Sequence, residues 1–456
     1  MKRTGHRLLV IGFILLCSGC SAGRIMIAEH CELNGIKESI SYDEITLSAI
    51  KDMYYRGQYS LAENMLESFE PIAEERAEYY LYRGIINKHQ NRFHAALEMF
   101  NKSIDILDKS PVDSLLIKAY RGKVNVYHDL HDYKTAALYL GKCEELGGKV
   151  SPYSIAYLEN FEGKPYEIVQ GVSKTTLKAN YKSGRLIPKV QINGSKETGL
   201  AIDTGANISL LLPGYAKKYK IRRLTHKGKM STQIRVYSVN TGVIDSLRLG
   251  DIVIRNVPVL IPDSKLLRIN LFLQNLFFPW KRIKGVIGLP VLKNFDVTID
   301  FRNDKIELSL PGKRKEPEKY HGDFYLIDGL IQYPVYINCK AKANLLLDTG
   351  DYRRYIKTSK RGFESLEKKD VKTTWGLKTH PLFMLLPEKR IKRANVTMGN
   401  YLLKNVEIRK KKPLRLPASM DGIIGNGILE NFKISIDFIN MRLDLEPYEK
   451  SRTITE

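Results

Sequence analysis

Two short stretches of the chain carry the same acidic turn, and their residue types suggest a specific chemistry. Asp203-Thr204-Gly205 ends the apolar run "LAIDTG", and Asp348-Thr349-Gly350 ends the apolar run "LLLDTG". Two carboxylates at hydrogen-bonding distance cannot both ionise easily, so such a pair would share one proton. The ionised member could then accept a proton from water while the protonated member donates to a carbonyl oxygen. The two turns therefore predict general acid–base hydrolysis, provided that the fold brings them together.

The turns lie at equivalent positions of an internal duplication. "GRLIPKVQINGSKETGLAIDTG" (184–205) aligns without gaps with "GLIQYPVYINCKAKANLLLDTG" (329–350). Further along, "GVIGLPVLKNFDVTIDFRN" (285–303) aligns with "GIIGNGILENFKISIDFIN" (422–440). Alternating apolar residues, β-branched residues and Gly/Asn turns predict β-strands in both copies. This arrangement predicts a site that is built from two equivalent halves.

With these motifs, the chain from roughly residue 180 to 447 resembles the retropepsin-like and pepsin-like aspartic proteases. The resemblance implies an all-β bilobal fold with one retropepsin-like lobe per copy, a polypeptide substrate, and no metal or organic cofactor. It assigns catalysis to Asp203 and Asp348. It assigns support of the catalytic loops to Thr204, Gly205, Ala206, Thr349 and Gly350. It places the later glycine motifs on strands that pack behind the site, at Ile287, Gly288, Ile424 and Gly425.

The second copy departs from the family pattern at Asp351, where the first copy has Ala206. A third carboxylate could raise the pKa values of the pair, or could point outwards and pair with Arg353 or Arg354. It could also mark a lobe that no longer contributes to catalysis. The alternative hypothesis is therefore a catalytically inactive protein with the protease fold that binds peptides or acts as a scaffold.

Other kinds of chemistry find little support in the sequence. The nine histidines are dispersed without zinc-ligand spacing, and neither a GxSxG turn nor a phosphate-binding glycine loop is present. The 73 basic and 50 acidic residues give a net charge of +23, which favours contact with anionic surfaces. No motif of interleaved aromatic and basic residues supports nucleic-acid binding, so the charge is interpreted as a solvated basic surface.

The first third of the chain has a helical pattern and a repeat of its own. "GQYSLAENML" (57–66), "NRFHAALEMF" (91–100) and "HDYKTAALYL" (131–140) share an aromatic third residue and an alanine three places later. A small residue there lets two antiparallel helices approach closely. The segment resembles tetratricopeptide (TPR) repeats, which implies a concave surface for a protein partner; a spacer without a ligand is the alternative.

The N-terminal stretch "MKRTGHRLLVIGFILLCSGC" has a basic start, a short apolar run and small residues before Cys20. The apolar run is too short for a permanent membrane span. The stretch resembles a bacterial lipoprotein signal, which implies lipidation at Cys20. The expected location is the bacterial cell envelope, at the outer membrane or its periplasmic face, with a lipid anchor in the membrane. An ordinary secretory signal and a secreted protein are the alternative.

These observations predict a multidomain chain, all-α and then all-β. The predicted order is a signal peptide (1–19), a TPR-like helical domain (20–150), a linker (151–180), lobe 1 (181–311), an inter-lobe linker (312–322), lobe 2 (323–449) and a tail (450–456).

Overall fold

The computed structural model describes residues 25–29, 45–107, 114–182, 184–231, 236–263, 284–312, 320, 322–368, 372–379, 385–411 and 414–448. The predicted signal peptide, Cys20 and the predicted tail lie outside these residues. Within them, a helical region is followed by a β-rich region. None of the helices in the described ranges is long and apolar enough to cross a membrane.

The helical region is built from consecutive helices that pack on one another. They are α1 (Leu47–Tyr55), α2 (Tyr59–Ser68), α3 (Arg76–His89), α4 (Phe93–Leu107), α5 (Ser114–Asp129), α6 (Tyr133–Glu145) and α7 (Pro152–Glu159). The repeat alanines Ala62, Ala96 and Ala136 are fully buried. At Gly84, an added Cβ would lie 2.7 Å from the ring of Phe100, so α3 and α4 pack closely because a side chain is missing there.

The first half of the β-rich region contains the first acidic turn. Its strands are β2 (Glu167–Ile168), β3 (Lys174–Lys182), β4 (Arg185–Ile192), β5 (Thr198–Gly199), β6 (Ala201–Asp203), β7 (Ser209–Leu211), β8 (Arg222–Ser231), β9 (Val236–Leu249), β10 (Ile252–Pro262), β11 (Gly285–Gly288), β12 (Asp296–Asp300) and β13 (Lys305–Ser309). Its helices are α8 (Pro213–Lys218) and α9 (Leu289–Leu292).

The second half repeats this order around the second acidic turn. Its strands are β14 (Tyr325–Ile327), β15 (Leu330–Ile337), β16 (Ala341–Asp348), β17 (Tyr355–Thr358), β18 (Thr374–Thr379), β19 (Leu385–Met398), β20 (Tyr401–Lys410), β21 (Gly422–Gly425), β22 (Phe432–Asp437) and β23 (Arg442–Pro447). Its helices are α10 (Lys360–Lys368) and α11 (Asn426–Leu429). We call the two halves lobe 1 and lobe 2.

Two segments differ from the sequence-based expectation. The expected linker 151–180 instead contains α7, β2 and most of β3. Leu158 of α7 is buried with Tyr133 and Leu140 of the helical region, and β3 pairs with both β4 and β13. Within the expected helical domain, a further strand, β1 (Met26–Glu29), pairs with β20 of lobe 2. Both segments are therefore held in place by partners that are distant in sequence. Local composition does not reveal such partners.

The two lobes meet on an approximate twofold axis. Strands β12 and β22 are equivalent in the duplication and pair antiparallel with each other. Thr298 pairs with Ser435, its own equivalent in the other copy, and their hydroxyl oxygens are 3.1 Å apart. A residue can face its own equivalent only where the symmetry axis passes between them. One continuous hydrophobic core extends through both lobes.

The helical region docks on both lobes through the turns between its paired helices. The Gly57 carbonyl, between α1 and α2, accepts a hydrogen bond from Asn344 Nδ2 of lobe 2 at 3.2 Å. Asn91, between α3 and α4, donates its Nδ2 to the carbonyl of Phe438 at 3.0 Å. At the end of α5, Asp129 forms an ion pair with Lys293 of lobe 1 at 3.0 Å. The equivalent edge of each helix pair therefore faces the β-rich region.

Candidate active site

Each acidic turn follows a strand that is buried in its lobe. Strand β6 ends at Asp203 and strand β16 ends at Asp348, after the buried apolar residues that root each turn in the core. The glycine motifs lie on the neighbouring parallel strands, where Gly288 pairs with Asp203 and Gly425 pairs with Asp348. Ile287 and Ile424 are fully buried one residue earlier. The predicted supporting strands thus lie beside the strands that carry the carboxylates.

The glycines of these motifs are required by close backbone contacts. A Cβ on Gly288 would lie 2.7 Å from the Ala206 carbonyl oxygen, and a Cβ on Gly425 would lie 2.3 Å from that of Asp351. Both distances are too short for a real Cβ atom, so a larger residue would push the acidic turn out of place. The same glycine contact therefore supports the turn in each lobe.

Thr204 and Thr349 join the two turns by reciprocal hydrogen bonds. The Thr204 backbone N–H donates to Thr349 Oγ1 at 3.0 Å, and the Thr349 N–H donates to Thr204 Oγ1 at 3.0 Å. Each hydroxyl also donates across the axis, Thr204 to the Leu347 carbonyl at 2.7 Å and Thr349 to the Ile202 carbonyl at 3.2 Å. Both threonines are fully buried. This network fixes the position of one turn relative to the other.

The same network brings Asp203 and Asp348 together on the axis. A Cβ on Gly205 would be 2.5 Å from Asp348 Cγ, and a Cβ on Gly350 would be 2.5 Å from Asp203 Cγ. Each carboxylate accepts a hydrogen bond from the glycine N–H of its own turn, at 3.0 Å in lobe 1 and 2.9 Å in lobe 2. The absence of side chains on the glycines leaves room for the two carboxyl groups to face each other.

Burial and the neighbouring carboxylate raise the pKa of Asp203 well above its usual value of 3.8. Burial is the larger cause because it penalises the charged form. The negative charge of Asp348 acts in the same direction, while the Gly205 N–H and Arg185 oppose it. One carboxyl group of the pair therefore holds a proton at a pH where an isolated aspartate is ionised.

One known protein family matches part of the chain. A family model described as "Aspartyl protease" matches residues 188–291, which include Asp203 and the Gly288 motif. The match supports an aspartic protease fold for this part of the chain. A sequence search of curated proteins gives no match.

Two solved structures are similar to parts of the chain. An aspartic proteinase from Irpex lacteus is 14% identical over 62% of this chain and 100% of its own, with a TM-score of 0.38. A retropepsin-like aspartic protease from Rickettsia conorii is 16% identical over 32% of this chain and 96% of its own, with a TM-score of 0.22.

The negative charge of Asp351 is paired with two neighbouring cations. Its carboxylate accepts from Lys357 Nζ at 2.6 Å and from Arg353 Nη1 at 3.0 Å, and only 3% of the side chain is exposed. Burial lowers the pKa of Lys357, and the charge of Asp351 opposes that shift. The sequence left open that Asp351 points outwards and pairs with Arg353 or Arg354. Asp351 pairs with Arg353, but its side chain is buried and does not point outwards.

The pair lies in a cleft of about 260 Å³ that also contains residues which sequence analysis did not select. Besides the two turns and the Asp351 group, the lining includes Arg185 and Tyr352. Arg185 Nε donates to the Gly350 carbonyl at 3.0 Å, and its guanidinium carbon lies 4.6 Å from the centre of the Tyr352 ring. A comparison of the two copies could have revealed Arg185, because Leu330 is its equivalent in the second.

Each lobe also has a β-hairpin between its acidic turn and its glycine motif, formed by β8 and β9 in lobe 1 and by β18 and β19 in lobe 2. The tips of these hairpins, at 232–235 and 380–384, lie outside the described residues. Among the residues that the structure describes, no group of three or more His, Cys, Asp or Glu side chains is placed to hold a metal ion.

Proposed function

We propose that the protein is an aspartic endopeptidase that hydrolyses polypeptides with Asp203 and Asp348. Water between the carboxyl groups loses a proton to the ionised member and attacks the amide carbon, while the protonated member donates to the carbonyl oxygen. The tetrahedral intermediate then collapses with proton transfer to the leaving nitrogen, and no covalent intermediate with the protein forms. Since coupled groups titrate as a pair, the two roles are not assigned to individual residues.

One observation carries this proposal: the reciprocal contact of each turn glycine with the opposite carboxyl group. Gly205 lies against Asp348 and Gly350 against Asp203, so neither lobe has a complete site alone. The buried threonine network fixes this geometry, and such fixed positions of the reacting groups are the preorganisation that proton transfer requires. The raised pKa of Asp203 supplies a proton donor next to an acceptor.

Cleavage of an unbiased peptide library by the purified protein between about pH 3 and 7 tests the proposal. We expect Asp203→Asn and Asp348→Asn each to lower kcat/KM by at least about 10³-fold. Asp444→Asn is the matched control because Asp444 is exposed on β23, away from the cleft. A wild-type protein that cleaves no peptide in this range would favour the alternative, a catalytically inactive peptide-binding or scaffold protein.

The helical region is proposed to recruit a polypeptide substrate or a regulatory protein through TPR-like repeats. The buried alanines and the close packing of Gly84 on Phe100 support this architecture. The edge that docks on the lobes is already occupied, so a partner would use another face. Substitution of exposed Leu138 on α6 by Asp, with exposed Asp105→Asn as control, should weaken co-purification of a substrate without changing cleavage of short peptides.

We further propose that Cys20 is lipidated and holds the protein at the bacterial cell envelope. The support is the N-terminal sequence pattern alone. Metabolic labelling with a fatty acid should mark the wild type and not Cys20→Ser, and only the wild type should fractionate with membranes. Equal labelling of both, or release of the unlabelled wild type into the medium, would favour the secretory alternative.

A further inference from the structure

The lining of the cleft departs from the symmetry of the duplication, because Arg185 and Tyr352 line it and their equivalents do not. Arg185 opens β4 in lobe 1, and its equivalent at the start of β15 is Leu330. After the acidic turns, Tyr352 corresponds to Asn207. Gly184 lies against Tyr352, where an added Cβ would be 2.5 Å from the Tyr352 Cβ, and its equivalent Gly329 lies less closely against Asn207, at 3.5 Å. A cationic side chain therefore lines the cleft from lobe 1, and the equivalent position of lobe 2 holds an uncharged residue.

Arg185 is held in place from lobe 2. Asn426 Nδ2 donates both to the Gly184 carbonyl at 2.9 Å and to the Thr349 carbonyl at 2.6 Å, which ties the residue before Arg185 to the catalytic loop. Arg185 itself donates to the Gly350 carbonyl through Nε and packs its guanidinium over the Tyr352 ring. These contacts use one edge and one face of the guanidinium group.

Of the three described cations that line the cleft, Arg185 is the one without an ion pair, although the charges of Asp203 and Asp351 act on it. Arg353 and Lys357 are both paired with the buried Asp351. No carboxylate in the described part of the chain forms an ion pair with Arg185, and its two terminal nitrogens remain available for a planar, bidentate contact. A carboxylate bound there would be adjacent to the reacting pair, in a cleft that contains Asp203 and Asp348.

We propose that Arg185 binds an acidic side chain of the polypeptide substrate, and that the enzyme therefore prefers Asp or Glu on one side of the scissile bond only. This inference rests on the proposed endopeptidase function and specifies its substrate class. Arg185 lines the cleft, whereas its equivalent Leu330 is not among the lining residues and packs against the cluster that contains Tyr325 and Leu346. The preference is therefore asymmetric, in contrast to the symmetric carboxyl pair.

The test uses the full-length protein and a peptide library to locate the position of the preference. Matched peptides with Glu or Gln at that position are then compared by kcat/KM. We expect a Glu/Gln ratio of about 10 to 100 for the wild type, from a charge-assisted hydrogen bond. Arg185→Gln should bring the ratio close to 1, and Arg185→Lys should retain part of it. Arg248→Gln, an exposed change on β9, should leave the ratio unchanged.

A second variant keeps the proposal testable if Arg185→Gln disturbs the catalytic loop. Leu330→Arg places a cation at the equivalent position of lobe 2 and should add an acidic preference on the other side of the scissile bond. A wild-type ratio near 1, or a ratio unchanged by both Arg185 variants, would overturn the role of Arg185 while leaving the endopeptidase proposal intact. A wild type that cleaves no peptide would overturn both.

Discussion

Gly350 lies so close to the carboxyl group of Asp203 that an added Cβ would be 2.5 Å from both Asp203 Cγ and Asp203 Oδ2. Gly205 stands in the same relation to Asp348. The backbone at neither position is in the left-handed region, so the requirement for glycine comes from space and not from conformation. Each turn thus provides the room that the carboxylate of the other turn needs.

This contact predicts that Gly350→Ala displaces the Asp203 carboxyl group without unfolding the protein. We expect kcat/KM for peptide cleavage to fall about 10²-fold, because small displacements of reacting groups have effects of this size. Gly214→Ala is the matched control: its Cβ would meet no atom within 4 Å, and alanine favours the helix α8. Wild-type activity of Gly350→Ala would contradict the importance of the contact.

The reciprocal threonine hydrogen bonds predict a difference between two substitutions at one position. Thr349→Val leaves the buried Thr204 N–H without its acceptor, which should lower the free energy of unfolding by about 1–3 kcal/mol. Thr349→Ser keeps the hydroxyl and should lower it less. Urea denaturation measures both, with Thr176→Val on the exposed face of β3 as control. Equal destabilisation by Val and Ser would show that the methyl group matters and the hydroxyl does not.

The raised pKa of Asp203 predicts how stability depends on pH. Below about pH 3.8 the carboxyl group is protonated in both the folded and the unfolded protein, and it has no effect on their balance. As pH rises, the unfolded state loses this proton first, so the wild type becomes less stable relative to Asp203→Asn. The variant should therefore have the higher Tm at pH 7, and the two should converge near pH 3.5.

Thermal unfolding of the wild type and Asp203→Asn across this pH range provides the measurement. Asp444→Asn should run parallel to the wild type, since Asp444 is exposed on the sheet. A Tm difference between the wild type and Asp203→Asn that does not change between pH 3.5 and 7 would show that Asp203 titrates as an ordinary aspartate.

Features that recur in both copies are easier to recognise in the sequence than features that occur in only one. The acidic turns and glycine motifs were recognisable because each strand pattern appears twice. Asn426 was not recognisable, because its equivalent in lobe 1 is Leu289. The two carbonyl groups that accept its hydrogen bonds lie in loops that only the fold brings together. Lys357, which also pairs with Asp351, was not recognised either. It lies six residues further along the chain, and the turn between the two residues determines whether their side chains meet.

Asp129 at the end of α5 lies between two lysines and links the helical region to lobe 1. Its carboxylate is 3.3 Å from Lys88 Nζ and 3.0 Å from Lys293 Nζ, and all three side chains are less than one-fifth exposed. Burial alone would raise the pKa of Asp129, but the two lysines outweigh it and hold the pKa well below its usual 3.8. The ion pairs therefore stabilise the protein above about pH 3.8, and this contribution is lost as pH falls further.

Asp129→Asn should leave both lysines without their counter-charge and lower the free energy of unfolding at pH 7 by on the order of 2 kcal/mol, less than for a fully buried pair. Adding Lys293→Met should recover part of this loss, because one uncompensated charge is removed. Glu98→Gln, which breaks only an exposed pair with Lys102, is the control. If denaturant unfolding gave the same stability for Asp129→Asn and the wild type at pH 7, the lysines would not depend on Asp129, and the docking of the helical region would rest on its other contacts.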